Sequence, residues 1–412
     1  MDNAATGTSI AQASLSDSLA KKILLRALAH LAEGQLTIVD ASQSHVFGHP
    51  ESDIHATMQV LHPGFYRQVV FGGSIGAGEA YIQGHWSSPD LTKVVQIFAR
   101  NLALLDNIER YFSWLSNGLN RVKHIFNRNS QAGSKRNILA HYDLGNDMYQ
   151  QFLDPEMMYS SAIYPANDAS LAEAQLHKLD TICQRLDLKP GQTLLEVGTG
   201  WGALAIYAAK HYGVLVTTTT ISDAQYDYAL SRVKSEGLLD KVTLLKQDYR
   251  ELTGVYDRVV SIEMIEAVGH EYLPGFFEKL QHMLKPEGRL LIQAITIADQ
   301  RYNSYRKSVD FIQRYIFPGG CLPSISEMSR HIANKTDMVI WSLDDIGLDY
   351  ARTLKHWHDN FDMAKSTITK LGYGDDFIRM WKFYLSYCEG GFLERATSTV
   401  HLTAVRPGYR KS

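Results

Sequence analysis

The chain has 412 residues, 45% of them hydrophobic and 21% charged, with a formal net charge of −3 at pH 7. That length exceeds one ordinary domain, and that composition supplies a sizeable core and excludes global disorder. The charge balance excludes a whole-chain polycation, so no nucleic-acid partner is expected, while a local basic surface stays open. Residues 1–15 are polar, with no apolar signal core, and read as a disordered lead. Residues 16–120 read as a small α+β domain. In it "LAKKILLRALAHLAEG" is an amphipathic helix closed by Gly34, and "QLTIVDA" and "FYRQVVFGG" are short strands. "GSIGAGEAYIQGHW" is a glycine-rich turn entering a helix, and "DLTKVVQIFARNLALLDNIERYFSWLSNGLN" is helical. Residues 121–136, within "RVKHIFNRNSQAGSKRN", form a polar, basic linker.

From residue 137 to 412 strands and helices alternate. "TLLEVG", "VLVTTTTI", "VTLLKQD", "YDRVVSIEM" and "RLLIQAIT" are strands. "WGALAIYAAKHY" and "SDAQYDYALSRVKSEG" are helices, the second N-capped by Ser222. The pattern predicts an α/β fold, a mostly parallel, doubly wound sheet whose ligands lie beyond the carboxyl ends of its strands. No run of about 18 apolar residues occurs, so no membrane span is expected. Cys183, Cys321 and Cys388 form no CxxC pair, which predicts reduced thiols and neither a disulfide frame nor a metal site.

The chemistry-bearing stretch is "LLEVGTGWGALAIYAAK". Gly198, Gly200 and Gly202 give G-x-G-x-G, not the G-x-G-x-x-G of a nicotinamide dinucleotide fold. Glu196 precedes the turn, Thr220 ends the next strand, and Asp248 follows the one after. Glycines there let a ligand approach the backbone. The pattern resembles the S-adenosylmethionine (SAM) site of Rossmann-like methyltransferases.

The flanking segments narrow the resemblance. "HYDLGNDMYQQFLDPEMMYSSAIY", "TISDAQ", "QDYREL", "SIEMIEAVGHEYLPGFF", "LKPEGRLL", "YIFPGGCLPS" and "YLSYCEGGF" occur in that order. Together they resemble the cyclopropane-fatty-acid synthase family of SAM-dependent methyltransferases over residues 137–405. "GSIGAGEAYIQGHWSSPDL" is similar to the extra N-terminal domain of bacterial members. The resemblance implies methyl transfer from SAM to the cis double bond of an acyl chain in a membrane phospholipid, then proton loss and ring closure. It places SAM contacts at Tyr159, Ser160, Glu196, Gly198, Gly200, Gly202, Thr220, Gln225, Tyr249 and Arg250. On the residues alone, Thr220 also reads as a strand-end β-former and Tyr249 as an aromatic core residue.

In that family the base is a bicarbonate held by a cysteine, a glutamate, a histidine and a tyrosine. Carried over by motif, the glutamate is Glu266 and the tyrosine Tyr350. The cysteine position holds Ser161 and the histidine position Gln293. Ala267 stands where histidine is common, and "GTG" replaces "GCG". Ser161 and Gln293 still donate hydrogen bonds to a planar anion. Retained bicarbonate, a different base, and a methyl-branched or methylene product therefore stay open beside the cyclopropane. Cys388 of "YLSYCEGGF" aligns with a cysteine discussed as catalytic in the family. Alkene methylation needs no thiolate, and a lone cysteine on an apolar helix usually packs as a small hydrophobe.

An acyl chain must be taken from the bilayer surface. The expectation is a cytoplasmic protein, peripheral on the inner face of the membrane, and homodimeric as family members often are. Candidate lipid-facing cations are Arg121, Lys123, Arg128, Lys135 and Arg136, the tail "RPGYRKS", and Arg306, Lys307 and Arg314. Two competing readings are a small-molecule N-methyltransferase and a non-catalytic lipid-binding protein.

Overall fold

The computed structural model of the protein describes residues 14–41, 43–102 and 145–410. They group into two units, one of the described residues up to 102 with Tyr373–Glu394, the other of residues 145–372 and 395–410. The basic linker and its five cations lie outside the described residues.

The first unit carries a four-stranded sheet in the order β2-β1-β3-β4, with β1 Gln35–Asp40, β2 Gln43–Gly48, β3 His55–Val60 and β4 Trp86–Ser87. Helix α1 (Leu15–Leu28) opens on a capping box in which Ser14 and Asp17 satisfy each other's backbone amides. Helix α2 (Gly64–Ile82) corrects one expectation, because "FYRQVVFGG" is helical and not a strand. Phe65, Tyr66 and Val70 are buried together at helical spacing, and this packing overrides the β preference of the Val-Val pair. The glycines that look like a turn are a kink inside the helix, with Gly73 at φ 56.

Helix α3 (Leu91–Arg100) is capped by Asp90. The helix Asp375–Leu393, nearly 300 residues further on, belongs to this unit and not to the segment around it. Arg379 donates to the carbonyls of Tyr81 (2.5 Å) and Trp86 (3.0 Å) and lies over the Tyr81 ring. Thr92 donates to Glu389, Gln96 to Glu394, and Arg100 joins Glu394 to Asp53. A strand–helix reading in chain order cannot see this, because the partners are remote in sequence.

The second unit holds seven strands in the order β10-β11-β9-β8-β5-β6-β7. They are β5 Thr193–Val197, β6 Leu215–Thr220, β7 Val242–Lys246, β8 Tyr256–Ile262, β9 Leu284–Ile297, β10 Val339–Asp345 and β11 Thr397–Val405. Strands β9, β8, β5, β6 and β7 run parallel, and β11 is antiparallel to both of its neighbours. Helices α4 (Leu171–Arg185), α5 (Ala203–Tyr207, continued by a π turn to Tyr212) and α6 (Asp223–Ser235) contribute Leu179, Ala205 and Val233 to one core. Helices α7 (Leu273–His282) and α8 (Ile325–Lys335) contribute Phe276, Phe277 and Met328 to the other. Two cores around one sheet are the doubly wound arrangement that the alternation predicts. The chain order reverses at β5 and β8, so the crevice beyond their carboxyl ends is the place for a ligand. Helix α9 (Gly347–Met363) follows β10.

Gly390 marks the tightest packing of the first unit's late helix. A Cβ there would stand 2.7 Å from Val95 Cγ1 and 3.1 Å from the Thr92 carbonyl oxygen. Gly390→Val is expected to cost about 1–3 kcal/mol by overpacking, read as a lower urea midpoint. An unchanged midpoint would show that α3 yields without cost.

Candidate active site

At the end of β5 the chain turns on three glycines with positive φ, Gly198 at 104°, Gly200 at 53° and Gly202 at 90°. Each has a different neighbour. A Cβ at Gly202 would come within 3.1 Å of Ala229 Cβ, so that glycine lets α6 approach. A Cβ at Gly200 would meet no protein atom within 4 Å and would project into open space. The turn is pinned from behind, since the amides of Gly198 and Thr199 donate to the Thr219 carbonyl. Glu196 is buried beneath it and accepts from the Thr218 hydroxyl at 2.6 Å, which also meets Thr199 Oγ1 at 2.7 Å. Burial pushes the Glu196 carboxyl up to about 8 despite the Thr218 bond. At the end of β6, Thr220 donates to Gln225 at 2.9 Å.

The second feature lies at the end of β8. Register sets Ile262 beside Gln293 of β9, and Gln293 beside His401 of β11. The next residue, Glu263, turns its carboxylate into a cage of donors. Its Oε1 accepts from the Ser161 backbone amide (2.9 Å) and from Gln293 Nε2 (2.7 Å), and its Oε2 from the Tyr350 hydroxyl (2.9 Å). Burial raises the pKa of this carboxyl, and the Ser161 and Gln293 bonds, the Lys178 charge and Tyr350 pull it back. Glu263 has φ 48, a left-handed conformation that favours glycine.

The donors are themselves oriented. Arg185 Nη1 lies 2.7 Å from His401 Nδ1, and His401 Nε2 lies 2.8 Å from Gln293 Oε1. A guanidinium only donates, so Nδ1 accepts and Nε2 carries the proton. That proton goes to the Gln293 oxygen, which leaves the amide nitrogen facing Glu263. Burial and the Arg185 and Lys178 charges hold the imidazole neutral, well below its ordinary range. Lys178 is wholly buried and donates to Ser160 Oγ at 2.7 Å. Burial lowers its ammonium to about 8, against the pull of Glu263 and Asp154.

Aromatic rings run between the two features. Trp201, inside the glycine turn, lies 5.2 Å from Tyr149, and Tyr149 lies 5.2 Å from Tyr159. Tyr159 is 5.3 Å from Trp357, and Trp357 is 6.0 Å from Tyr350, whose hydroxyl reaches Glu263. A continuous line of aromatic rings, in tilted and edge-to-face contact, thus joins the glycine turn to the Glu263 carboxylate. Their faces suit a cation and exclude water.

Residues 129–402 match the model of the family described as mycolic acid cyclopropane synthetase. The chain belongs to this family. Its members resemble it along most of its length. Tuberculostearic acid methyltransferase UfaA1 of Mycobacterium tuberculosis is 34% identical over 405 residues, 96% of this chain and 93% of that protein. Cyclopropane-fatty-acyl-phospholipid synthase of Escherichia coli is 37% identical over 355 residues, 82% of this chain and 85% of that protein. Among solved structures, the cyclopropane synthase MmaA2 from Mycobacterium tuberculosis superposes with a TM-score of 0.62 at 30% identity. It covers 66% of this chain and 98% of that one. Mycolic acid cyclopropane synthase CmaA1, complexed with SAH and CTAB, superposes equally well. Family and fold together make this chain a SAM-dependent methyltransferase.

Of the family positions read from the sequence, 161, 293 and 350 converge, but on Glu263. Glu266 stands apart from them. Its Oε1 accepts from the Ile295 amide at 2.6 Å, while its Oε2 is buried with no hydrogen-bond partner. Burial first, and the Glu263 charge second, push it up to about 8. Ser161 contributes its backbone amide to the cage, while its hydroxyl donates to the Ala162 carbonyl. The donors expected for bicarbonate are therefore taken by a carboxylate of the chain, and a second anion does not fit them. Arg250 clasps Asp248 through Nε (2.8 Å) and Nη2 (2.6 Å), and Tyr249 packs edge-on against Phe276. Cys388 sits on the late helix of the first unit and is not among the caged groups.

Glu263, Lys178, Arg185, His401, Tyr149, Trp201 and Trp357 were not singled out from the sequence. Glu263 carried a usable signal, an acid in the last two residues of the predicted strand "YDRVVSIEM", at the end where ligands lie. His401, alone in the apolar "TVHLTAV", looks like core.

Two outcomes follow from this geometry. Gly200→Val is expected to leave the fold intact and abolish SAM binding by calorimetry, because the new side chain fills the open space beside the turn. Undiminished affinity would remove the turn from the cofactor site. For Glu266, the folded carboxyl keeps its proton up to about 8 while the unfolded one ionises near 4.5. The wild type therefore loses stability as pH rises through that window. Glu266→Gln is expected to escape that loss, so its melting temperature gains on the wild type from pH 5 to pH 8 and no further above. Parallel curves would contradict a neutral Glu266.

Proposed function

We propose that the enzyme methylates the cis double bond of an unsaturated acyl chain in a membrane phospholipid and closes a cyclopropane ring. The observation that carries this is the line of aromatic faces ending on a caged carboxylate. An alkene is too weak a nucleophile for acid–base activation, so the protein has to align it, keep water out and stabilise the cation that forms. Tyr159, Trp357 and Tyr350 supply the π faces. The relatives at 34% and 37% identity carry names of fatty-acid and lipid chemistry, which favours this reading over an N-methyltransferase.

The residues that would hold SAM are the backbone at Gly198 and Gly200, with Tyr159, Ser160, Thr220, Gln225, Tyr249 and Arg250 around it. The open space at Gly200 fits such a ligand. Bound SAM supplies the electrophilic methyl group and leaves as a neutral sulfide. Glu196 acts through Thr218 and Thr199 by stiffening the turn. Gln175 donates to the carbonyls of Met158 and Ser160, and with Lys178 it fixes the segment that presents Tyr159 and Ser161.

The acyl chain arrives from a membrane surface, where the enzyme docks as a peripheral protein. Among the described residues no helix is long and apolar enough to cross a membrane. Of the basic candidates, Arg306 is engaged by His270 and Arg406 by Asp337, whereas Lys307 and Arg410 are exposed. A second reading, a methylene- or methyl-branched product, is favoured by the replacement of the family's cysteine and histidine and by the likeness to UfaA1 over nearly the whole chain.

Incubation with methyl-labelled SAM and vesicles of cis-unsaturated phospholipid tests the function. The expected product is a cyclopropane acyl chain, told from its methylene isomer of equal mass by fragmentation or NMR. The rate is expected to rise with anionic lipid and fall with salt, since surface attraction is screened over about 8 Å at physiological ionic strength. Rates indifferent to both would point to a carrier-bound or soluble substrate.

A further inference from the structure

We infer that the carboxylate of Glu263 is the base of this enzyme, in the place that the family resemblance assigns to a bicarbonate. The inference rests on the function proposed above. Three observations support it.

The first is occupancy. Positions 161, 293 and 350, which the family resemblance gives to the anion, all donate to Glu263, at 2.9, 2.7 and 2.9 Å. The Gln293 amide is turned toward it by the neutral His401, which is itself turned by Arg185. A second anion on the same donors would share them with the Glu263 carboxylate, and neighbouring like charges disfavour each other's ionised form.

The second is backbone. Glu263 sits at φ 48, where a side chain costs roughly 1–2 kcal/mol and glycine costs nothing. Strain of this kind persists where the surroundings hold it in place for a use. Here the strained residue is the one whose side chain fills the cage.

The third is the division between two acids. Glu263 accepts three hydrogen bonds and feels the Lys178 ammonium. Glu266 accepts one, from Ile295, and has an unpartnered oxygen. The carboxyl with three donors is the better place for a negative charge than the one with an unpartnered oxygen, the kind of environmental difference by which paired carboxyls divide their roles.

Methyl transfer forms a C–C bond from the alkene π pair and leaves a cation on the neighbouring carbon. A C–H bond of the added methyl then breaks. Its electron pair closes the third bond of the ring, and its proton goes to Glu263 Oε2. If instead the proton leaves so that the pair forms a C=C bond to the added carbon, after hydride migration, the same carboxylate produces the methylene isomer. The proton is released to solvent before the next turnover.

The test uses the whole protein with SAM and unsaturated phospholipid vesicles. In bicarbonate-free buffer the wild type is expected to keep its rate within about twofold. Glu263→Gln is expected to lose at least about 100-fold in kcat, the contribution of a positioned base, with SAM affinity by calorimetry unchanged. Glu263→Gly relieves the backbone strain and vacates the cage. It is expected to bind formate in calorimetry where the wild type does not, and to regain activity at least tenfold with formate or bicarbonate. A bicarbonate-dependent wild type, or Glu263→Gln at the wild-type rate, would overturn the assignment. A wild type that transfers no labelled methyl to the lipid would overturn the function itself, so the two failures are distinguishable.

Discussion

A carboxylate enters a protein interior only with donors to meet it, and the structure around Glu263 is arranged by that requirement. Three elements that share no local sequence meet it, the segment before α4, strand β9 and helix α9. The demand propagates outward. Gln293 points its nitrogen correctly because His401 occupies its oxygen, and His401 has the needed tautomer because Arg185 occupies its other nitrogen. Arg185 in turn pairs with Asp344 of β10 at the sheet's edge. That one carboxylate thereby orders polar side chains on β9, β11, α4 and α9. The same logic explains why Gln293 and His401 sit in an otherwise apolar sheet, as consecutive links and not as isolated polar residues.

The glycine turn obeys a different constraint. Backbone there borders open space on one side, at Gly200, and a helix on the other, at Gly202, and a Cβ would intrude on either. Gly202 faces α6, Gly200 faces open space, and the polar set Glu196, Thr218 and Thr199 holds the turn rigid from below. Between turn and carboxylate the protein places rings, not polar groups. A reaction that creates positive charge on carbon needs faces rich in electron density and has no use for water, which would capture the cation.

The first unit shows that chain order and packing order differ. The helix Asp375–Leu393 follows the catalytic segment in sequence, yet its Arg379, Glu389, Gly390 and Glu394 are complementary to Tyr81, Thr92, Val95 and Arg100. The cysteine it carries, Cys388, lies on a helix of that unit. The motif "YLSYCEGGF" owes its glycine Gly390 to close helix approach.

Periodicity, strand-to-helix alternation and the G-x-G-x-G turn are local properties, and they sufficed for the fold class, the SAM methyltransferase assignment and most elements of the second unit. The family motifs imply that Ser161, Gln293 and Tyr350 surround a common point. What occupied that point was decided only in three dimensions. Glu263 and Glu266 are three residues apart in "SIEMIEAVGH", and motif alignment favours the second. The left-handed backbone at Glu263 sends the first into the cage instead. The strand reading of "FYRQVVFGG" failed for a related reason: β-branched residues favour strands locally, but burial of Phe65, Tyr66 and Val70 on one helical face outweighs that preference. Local sequence reports what a segment prefers. Which of two neighbouring acids is charged, and which remote helix completes a domain, depends on partners that only the folded chain brings within hydrogen-bond reach.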